Sequence, residues 1–163
     1  MTHRGRGVTL FELLIALILI VIISAVMALM IPLRTHKLSA AAQKMAADVR
    51  YAQQLAVSKQ IPAGVLFDTG ADVYSVFIAS TNNTTVDPFT GSAFVIDYRS
   101  EPALKGIDIS STNFGSSVSF DYMGTPRDAS GANLTGYAIV TLRQGAHSCE
   151  VTVAPRTGQV KVE

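Results

Sequence analysis

"RGRGVTLFELLIALILIVI", residues Arg4 to Ile22, sets two arginines and a glycine ahead of a long apolar run and places one carboxylate, Glu12, at its mouth. No other charged residue occurs before Arg34, and Leu13 to Leu33 is broken only by Ser24 and Pro32. At 1.5 Å per residue about 20 helical residues span the roughly 30 Å hydrocarbon core, so the run is long enough to cross a bilayer. Arg4 and Arg6 before it and a long chain after it predict a cytoplasmic N-terminus with the remainder outside.

The rest of the composition is less specific. A chain of 163 residues holds one ordinary domain and an appendage, and a net charge of +1 gives no general pull toward nucleic acid or acidic substrates. Charged residues make up 15% and apolar ones 48%, the apolar excess lying at the N-terminus.

Two simple readings of that N-terminus each leave something over. A secretory signal peptide is cleaved after its apolar core at a pattern of small residues, whereas this run is long and ends in Ile31-Pro32-Leu33-Arg34. A plain anchor accounts for the apolar run and the arginines. It leaves Glu12 as a cost of roughly 2.5–3.5 kcal/mol at a helix centre, less at the membrane edge where the side chain can snorkel.

The stretch Gly7-Val8-Thr9-Leu10-Phe11-Glu12-Leu13-Leu14 resembles the prepilin motif of type IV pilins and pseudopilins. There a short basic leader ends in glycine, an apolar residue follows, and glutamate stands fifth in the mature chain; Val8 stands here where phenylalanine is more usual. The resemblance implies a prepilin peptidase that cuts between Gly7 and Val8 on the cytoplasmic side and methylates the new amine of Val8. Glycine beside the scissile bond lets the backbone lie close to a protease. Glu12 is then expected to pair with the charged amine of Val8, its own or a neighbouring subunit's, and to set register during assembly. An opposite charge close by in a low-dielectric medium favours both ionised forms.

Beyond the apolar run, Leu38, Ala42, Met45, Val49, Ala52 and Ala56 recur at steps of three and four, with Lys37, Gln43, Lys44, Asp48, Arg50 and Lys59 on other faces. This predicts an amphipathic helix ending near Gln60, one helix of about 50 residues with the apolar run, kinked or locally melted at Pro32. After Pro62, alternation or short apolar runs predict strands at Gly64 to Phe67, Val73 to Ala79, Ala93 to Tyr98, Ile107 to Ile109, Val118 to Tyr122, Tyr137 to Leu142, Cys149 to Val153 and Gln159 to Val162. Asp68 to Asp72 and Pro155 to Gly158 read as hairpin turns. Ser80 to Ser92 and Gly124 to Gly136 read as the longest strand-free stretches and as candidate partner loops.

"YAQQLAVSKQIPAGVLFD", a late "FDYMGTP" turn and a terminal "VAPRTGQVKV" hairpin resemble the minor pseudopilins of the GspH/FimT family. The resemblance implies an α+β, pilin-like fold, a long N-terminal helix packed on an antiparallel two-sheet β domain. The organisation expected is a leader over residues 1–7, a transmembrane and assembly segment over 8–33, an amphipathic continuation over 34–60 and a periplasmic β domain over 61–163. The implied role is that of a structural subunit at or near the tip of a periplasmic pseudopilus in type II secretion, or of a type IV pilus. Expected partners are the prepilin peptidase, other major and minor pseudopilins, inner-membrane lipid and secreted cargo. Some FimT-type minor pilins take up DNA through a basic region at the terminal hairpin. Arg143, Arg156 and Lys161 are the matching candidates here, but three cations make a thin phosphate track.

Catalysis finds little support. His3 belongs to the leader, His36 sits at the membrane boundary, and His147 and Cys149 share a strand face without an orienting third residue. No metal-ligand cluster or phosphate loop is present, Asp68, Asp72, Asp87 and Asp97 are scattered, and no cofactor is expected. A single cysteine forms no internal disulfide, and Cys149 reads as a small buried strand residue.

Overall fold

Helices α1, Leu10–Leu29, and α2, Leu33–Lys59, open the computed structural model, which describes residues 9–29 and 33–163. The chain divides into two compact units, Met1–Leu33 and Arg34–Glu163. The bend expected at Pro32 lies outside the described residues. From Leu10 to Val26 every side chain of α1 is exposed, leucines and isoleucines included. Among the described residues no helix is long and apolar enough to cross a membrane.

Along α2 the expected apolar face is the buried one: Leu38, Ala42, Met45, Val49, Ala52 and Ala56 are all 3% exposed or less, joined by Ala41 and Ala46. So many alanines let the helix backbone come close to what it covers. The helix stops where Gln60 turns left-handed, φ 55°, ahead of Ile61-Pro62, and the Gln60 side chain donates back to Val57 O at 2.8 Å.

Nine strands follow: β1 Ala63–Asp68, β2 Val73–Ile78, β3 Val95–Asp97, β4 Asp108–Thr112, β5 Ser117–Phe120, β6 Pro126–Arg127, β7 Ala138–Gln144, β8 His147–Val153 and β9 Val160–Val162. They form a five-stranded sheet in the order β3-β2-β1-β5-β6 and a four-stranded sheet in the order β4-β7-β8-β9, antiparallel throughout. Register places apolar residues opposite one another on the inner faces, Val65 beside Val76 and Val118 in the first sheet and Val140 beside Val151 in the second. One core joins these faces to α2.

Both expected hairpin turns are present, at residues 69–72 between β1 and β2 and at 154–159 between β8 and β9. Gly124 to Gly136 is not strand-free: Pro126 and Arg127 form β6 at the edge of the first sheet, and Arg127 also bridges Asn133. A two-residue strand among Gly, Asp, Ser and Asn carries no alternation to read. The expected strand at Ile107 to Ile109 instead runs on through Ser111 and Thr112, whose pairing with β7 shifts at a bulge after Ile109. These polar residues are held by the neighbouring strand rather than by their own hydrophobicity.

Asp48 is a third correction. Expected on a polar face, it is 9% exposed and lies under the first sheet, where the Tyr74 hydroxyl donates to Oδ2 at 2.6 Å and Lys44 Nζ at 3.2 Å. Burial, and then the charge of Asp48, push the Tyr74 phenol well above its usual range. The Tyr98 ring meets Tyr74 edge-on at 5.9 Å, yet its buried hydroxyl has no partner among the described residues. Tyr74→Phe should therefore cost about 1.5–3 kcal/mol, because a buried carboxylate loses its hydroxyl donor, and Tyr98→Phe should stay within about 0.5 kcal/mol. Urea midpoints of the two variants in detergent test this. Equal losses would mean that Tyr98 does have a partner.

Candidate functional site

Gly7 and Val8 lie outside the described residues, so the N-terminal motif is visible from Thr9 onward. Thr9 caps α1: its Oγ1 accepts the Glu12 N–H at 3.2 Å and its carbonyl accepts Leu13 N–H at 3.1 Å. Thr9-Leu10-Phe11-Glu12 thus has the spacing of a capping box, with Glu12 exposed in the first turn, where the helix dipole favours an acid. This gives Glu12 a local reason to be glutamate, and the T-x-x-E signal was there to read.

The three quoted stretches of the β region meet at one residue of α2. Gln53 Nε2 donates to Gly124 O at 2.9 Å, in the FDYMGTP turn, and to Thr157 O at 3.0 Å, in the terminal hairpin turn. One turn of helix earlier, the Arg50 guanidinium donates to Val160 O at 2.8 Å on the edge of β9. Gly124 and Gly158 both hold left-handed backbone, φ 80° and 66°, and a side chain on Gly158 would strike Gln53. Val57, Ile61, Tyr122 and Met123 are exposed at this end of α2, Met123 by 72%. Val57 and Met123 flank a shallow groove of about 420 Å³.

The candidate cations do not come together. Arg143 on β7 faces Ser148, and Lys161 on β9 faces Thr152. With side chains alternating along each strand, both stand on the outer face of the second sheet, about 13 Å apart along β8. Between their rows lies an acidic one, Glu150 paired with Glu163, and Asp108 adjoins Arg143. Arg156 sits apart in the turn before β9, exposed.

The scattered aspartates have a common use that the sequence reading missed. Asp68, Asp87, Asp97, Asp121 and Asp128 each accept the N–H two residues on, from Gly70, Phe89, Arg99, Met123 and Ser130, at 2.8–3.0 Å. Each is an Asx turn whose carboxylate is occupied by its own loop. Asp72, buried with φ 57°, instead ties the two sheets, accepting Ile109 N–H at 3.0 Å and Arg99 Nε at 2.9 Å. Among the described residues no three His, Cys, Asp or Glu gather as a metal group.

These turns carry a pH dependence. The Phe89 N–H holds Asp87 below its usual range, the Arg99 N–H does so for Asp97, and the Ser130 hydroxyl for Asp128. At Asp121 partial burial pushes up, but the Thr125 N–H, Arg127 and the Met123 N–H together pull it down. A carboxyl lowered by folding adds stability that is present above its unfolded value and is lost as pH falls through the folded one. The melting temperature should therefore change little from pH 7 to 5 and fall below about pH 4. A flat profile to pH 2.5 in a scanning calorimeter would remove the carboxylates from the stability of the loops.

His36 and His147 are exposed, and Cys149 is half-buried against the core rather than fully enclosed. Burial pushes its thiol up, away from the reactive thiolate. Burial along β8 grows from its exposed start, His147 and Ser148, to Val151–Val153, and Cys149 lies between the two.

Against known proteins, residues 41–157 match the family model described as Type II transport protein GspH. The type IV minor pilin FimU of Pseudomonas aeruginosa superposes with a TM-score of 0.56 at 14% identity, over 79% of this chain and 90% of that one. EpsH, the minor pseudopilin of the Type 2 Secretion System of Vibrio cholerae, gives 0.56 at 10% identity, over 78% and 96%. At such identities the likeness is one of fold, a helix packed on two antiparallel sheets. No curated protein matches the sequence.

Proposed function

Because the chain belongs to the Type II transport protein GspH family, we propose that it is a minor pseudopilin, a structural subunit at or near the tip of a periplasmic pseudopilus in type II protein secretion. The family match over residues 41–157 carries the reading. Helix α1 supports it, since its side chains from Leu13 to Ile23 are all apolar and all exposed, and such a helix needs lipid or neighbouring helices around it. On this reading residues 8–33 lie in the inner membrane before assembly, the N-terminus is cytoplasmic and the β domain periplasmic. The prepilin peptidase cuts between Gly7 and Val8 and methylates Val8. The fold shared with FimU favours a second reading, a minor pilin of a type IV pilus. DNA uptake draws less support, because the acidic row of Glu150 and Glu163 interrupts the cations.

The test is the intact mass and N-terminal sequence of the protein from membranes of cells with and without the peptidase. A chain beginning at methylated Val8 only when the enzyme is present is expected, and an uncut chain in both would leave a simple anchored domain. Glu12→Ala should still be cut and held in the membrane, but its incorporation into filaments should fall about tenfold, the effect of losing roughly 1.4 kcal/mol of pairing. Normal incorporation would confine Glu12 to capping α1. Deleting the gene and scoring secreted protein against surface pili separates the two host machines.

A further inference from the structure

Arg156 is an unexpected residue at its position. It holds φ 68° in the turn between β8 and β9, a conformation that glycine or asparagine takes with less strain. Its side chain does not repay this within the domain, since among the described residues its guanidinium makes no ion pair and no hydrogen bond. Instead it forms part of the wall of a trough of about 800 Å³, with Thr125, Asn133, Leu134, Thr135 and Pro155. A smaller hollow of about 370 Å³ shares Asn133, Leu134 and Thr135 with it and reaches Phe114, Asp128 and the exposed Tyr137. Between Leu134 and β7, where Thr135 lines both hollows and Gly136 the smaller, the backbone of these two exposed residues enters no hydrogen bond among the described residues.

We propose that this trough receives a short extended segment of a partner protein bearing one carboxylate, which pairs with Arg156 while the segment's backbone bonds to Thr135 and Gly136. A guanidinium presents a fork that a carboxylate fits with two hydrogen bonds, and unpaired backbone favours an extended chain laid beside it. Asp128 fixes the direction. Its Oδ1 is taken up by Ser130 and Ala132, yet its charge stands at the far hollow and repels an acid there, so the acid lies at the Arg156 end and an apolar side chain at Tyr137 and Phe114. The same arrangement disfavours a nucleic acid, whose every phosphate seeks a cation and which would set one against Asp128. The proposal goes beyond the filament reading and stands without it.

The test uses the full chain in detergent micelles, panned against a displayed library of random heptapeptides. The wild type should enrich Asp or Glu at a single position about tenfold over chance. Arg156→Glu should invert that preference to Lys or Arg at the same position. Arg156→Gly should lose the preference while melting no lower than the wild type. Absence of acid enrichment, the same enrichment with Arg156→Glu, or a lower melting temperature for Arg156→Gly would overturn the proposal. So would oligothymidylate of 20 nucleotides, about the length of a strand-binding site or two, if it bound the wild type, failed to bind Arg156→Glu and no peptide was enriched.

Discussion

Gly64→Ala is expected to destabilise the β domain by about 3 kcal/mol or more, toward the upper end of what a single added methyl does in a packed interior. Gly64 sits in β1 between Phe77 of β2 and Ser119 of β5. A Cβ there would strike Val118 O and lie 2.6 Å from Ser119 Cα and 2.8 Å from Phe77 Cζ. Two of those three atoms are backbone of the neighbouring strand and cannot swing aside. The third belongs to the Phe77 ring, which is itself buried, 4% exposed, and has little room to move. Relief would require β1 and β5 to separate, which breaks the ladder between them. Urea unfolding of the variant checks this; a loss below about 1 kcal/mol would show that the strands part easily.

Gly158→Ala should cost about 2–4 kcal/mol for a different reason. The residue needs left-handed backbone, φ 66°, and a methyl there would collide with Gln53 Nε2 and lie 3.0 Å from Gly124 O and from Phe120 Cε1. The loss therefore combines turn strain with displacement of the amide that holds two turns together. Gln53→Ala isolates the second part and should cost about 1–2 kcal/mol for the two hydrogen bonds. A thermal melt of both variants tests the order. If Gln53→Ala loses as much as Gly158→Ala, the cost lies in the clasp and not in the backbone.

What could be read in the chain depended on whether a feature is periodic or local. The alanine-rich face of α2 and the strands about Val65, Val76, Val140 and Val151 announce themselves because burial repeats at a fixed step. Asp48 breaks that logic: periodicity assigns it to solvent, and only Tyr74, distant in sequence, makes its burial tolerable. The five Asx turns are within reach, since each aspartate is followed within three residues by Gly, Ser or Thr, but Asp68, Asp87 and Asp97 read only as scattered candidate metal ligands, and Asp121 and Asp128 are not singled out. The staple at Gln53 was beyond reach in a stricter sense. Each quoted stretch was visible alone, but their meeting point is a property of three segments together. Arg143 and Lys161 fail as a track for a similar reason, because strand register, which the sequence does not print, inserts Glu150 and Glu163 between them.

The clasp on α2 also sets an order of completion. Arg50 waits for Val160, 110 residues later, and Gln53 for Thr157, 104 residues later. A chain made from its N-terminus has α2 well before β9, so these contacts of high sequence separation form late. A chain without β9 and the turn before it leaves Arg50 and Gln53 without these partners and the core without Val160. Closure of the domain over the end of α2 thus depends on β9 and on the turn before it.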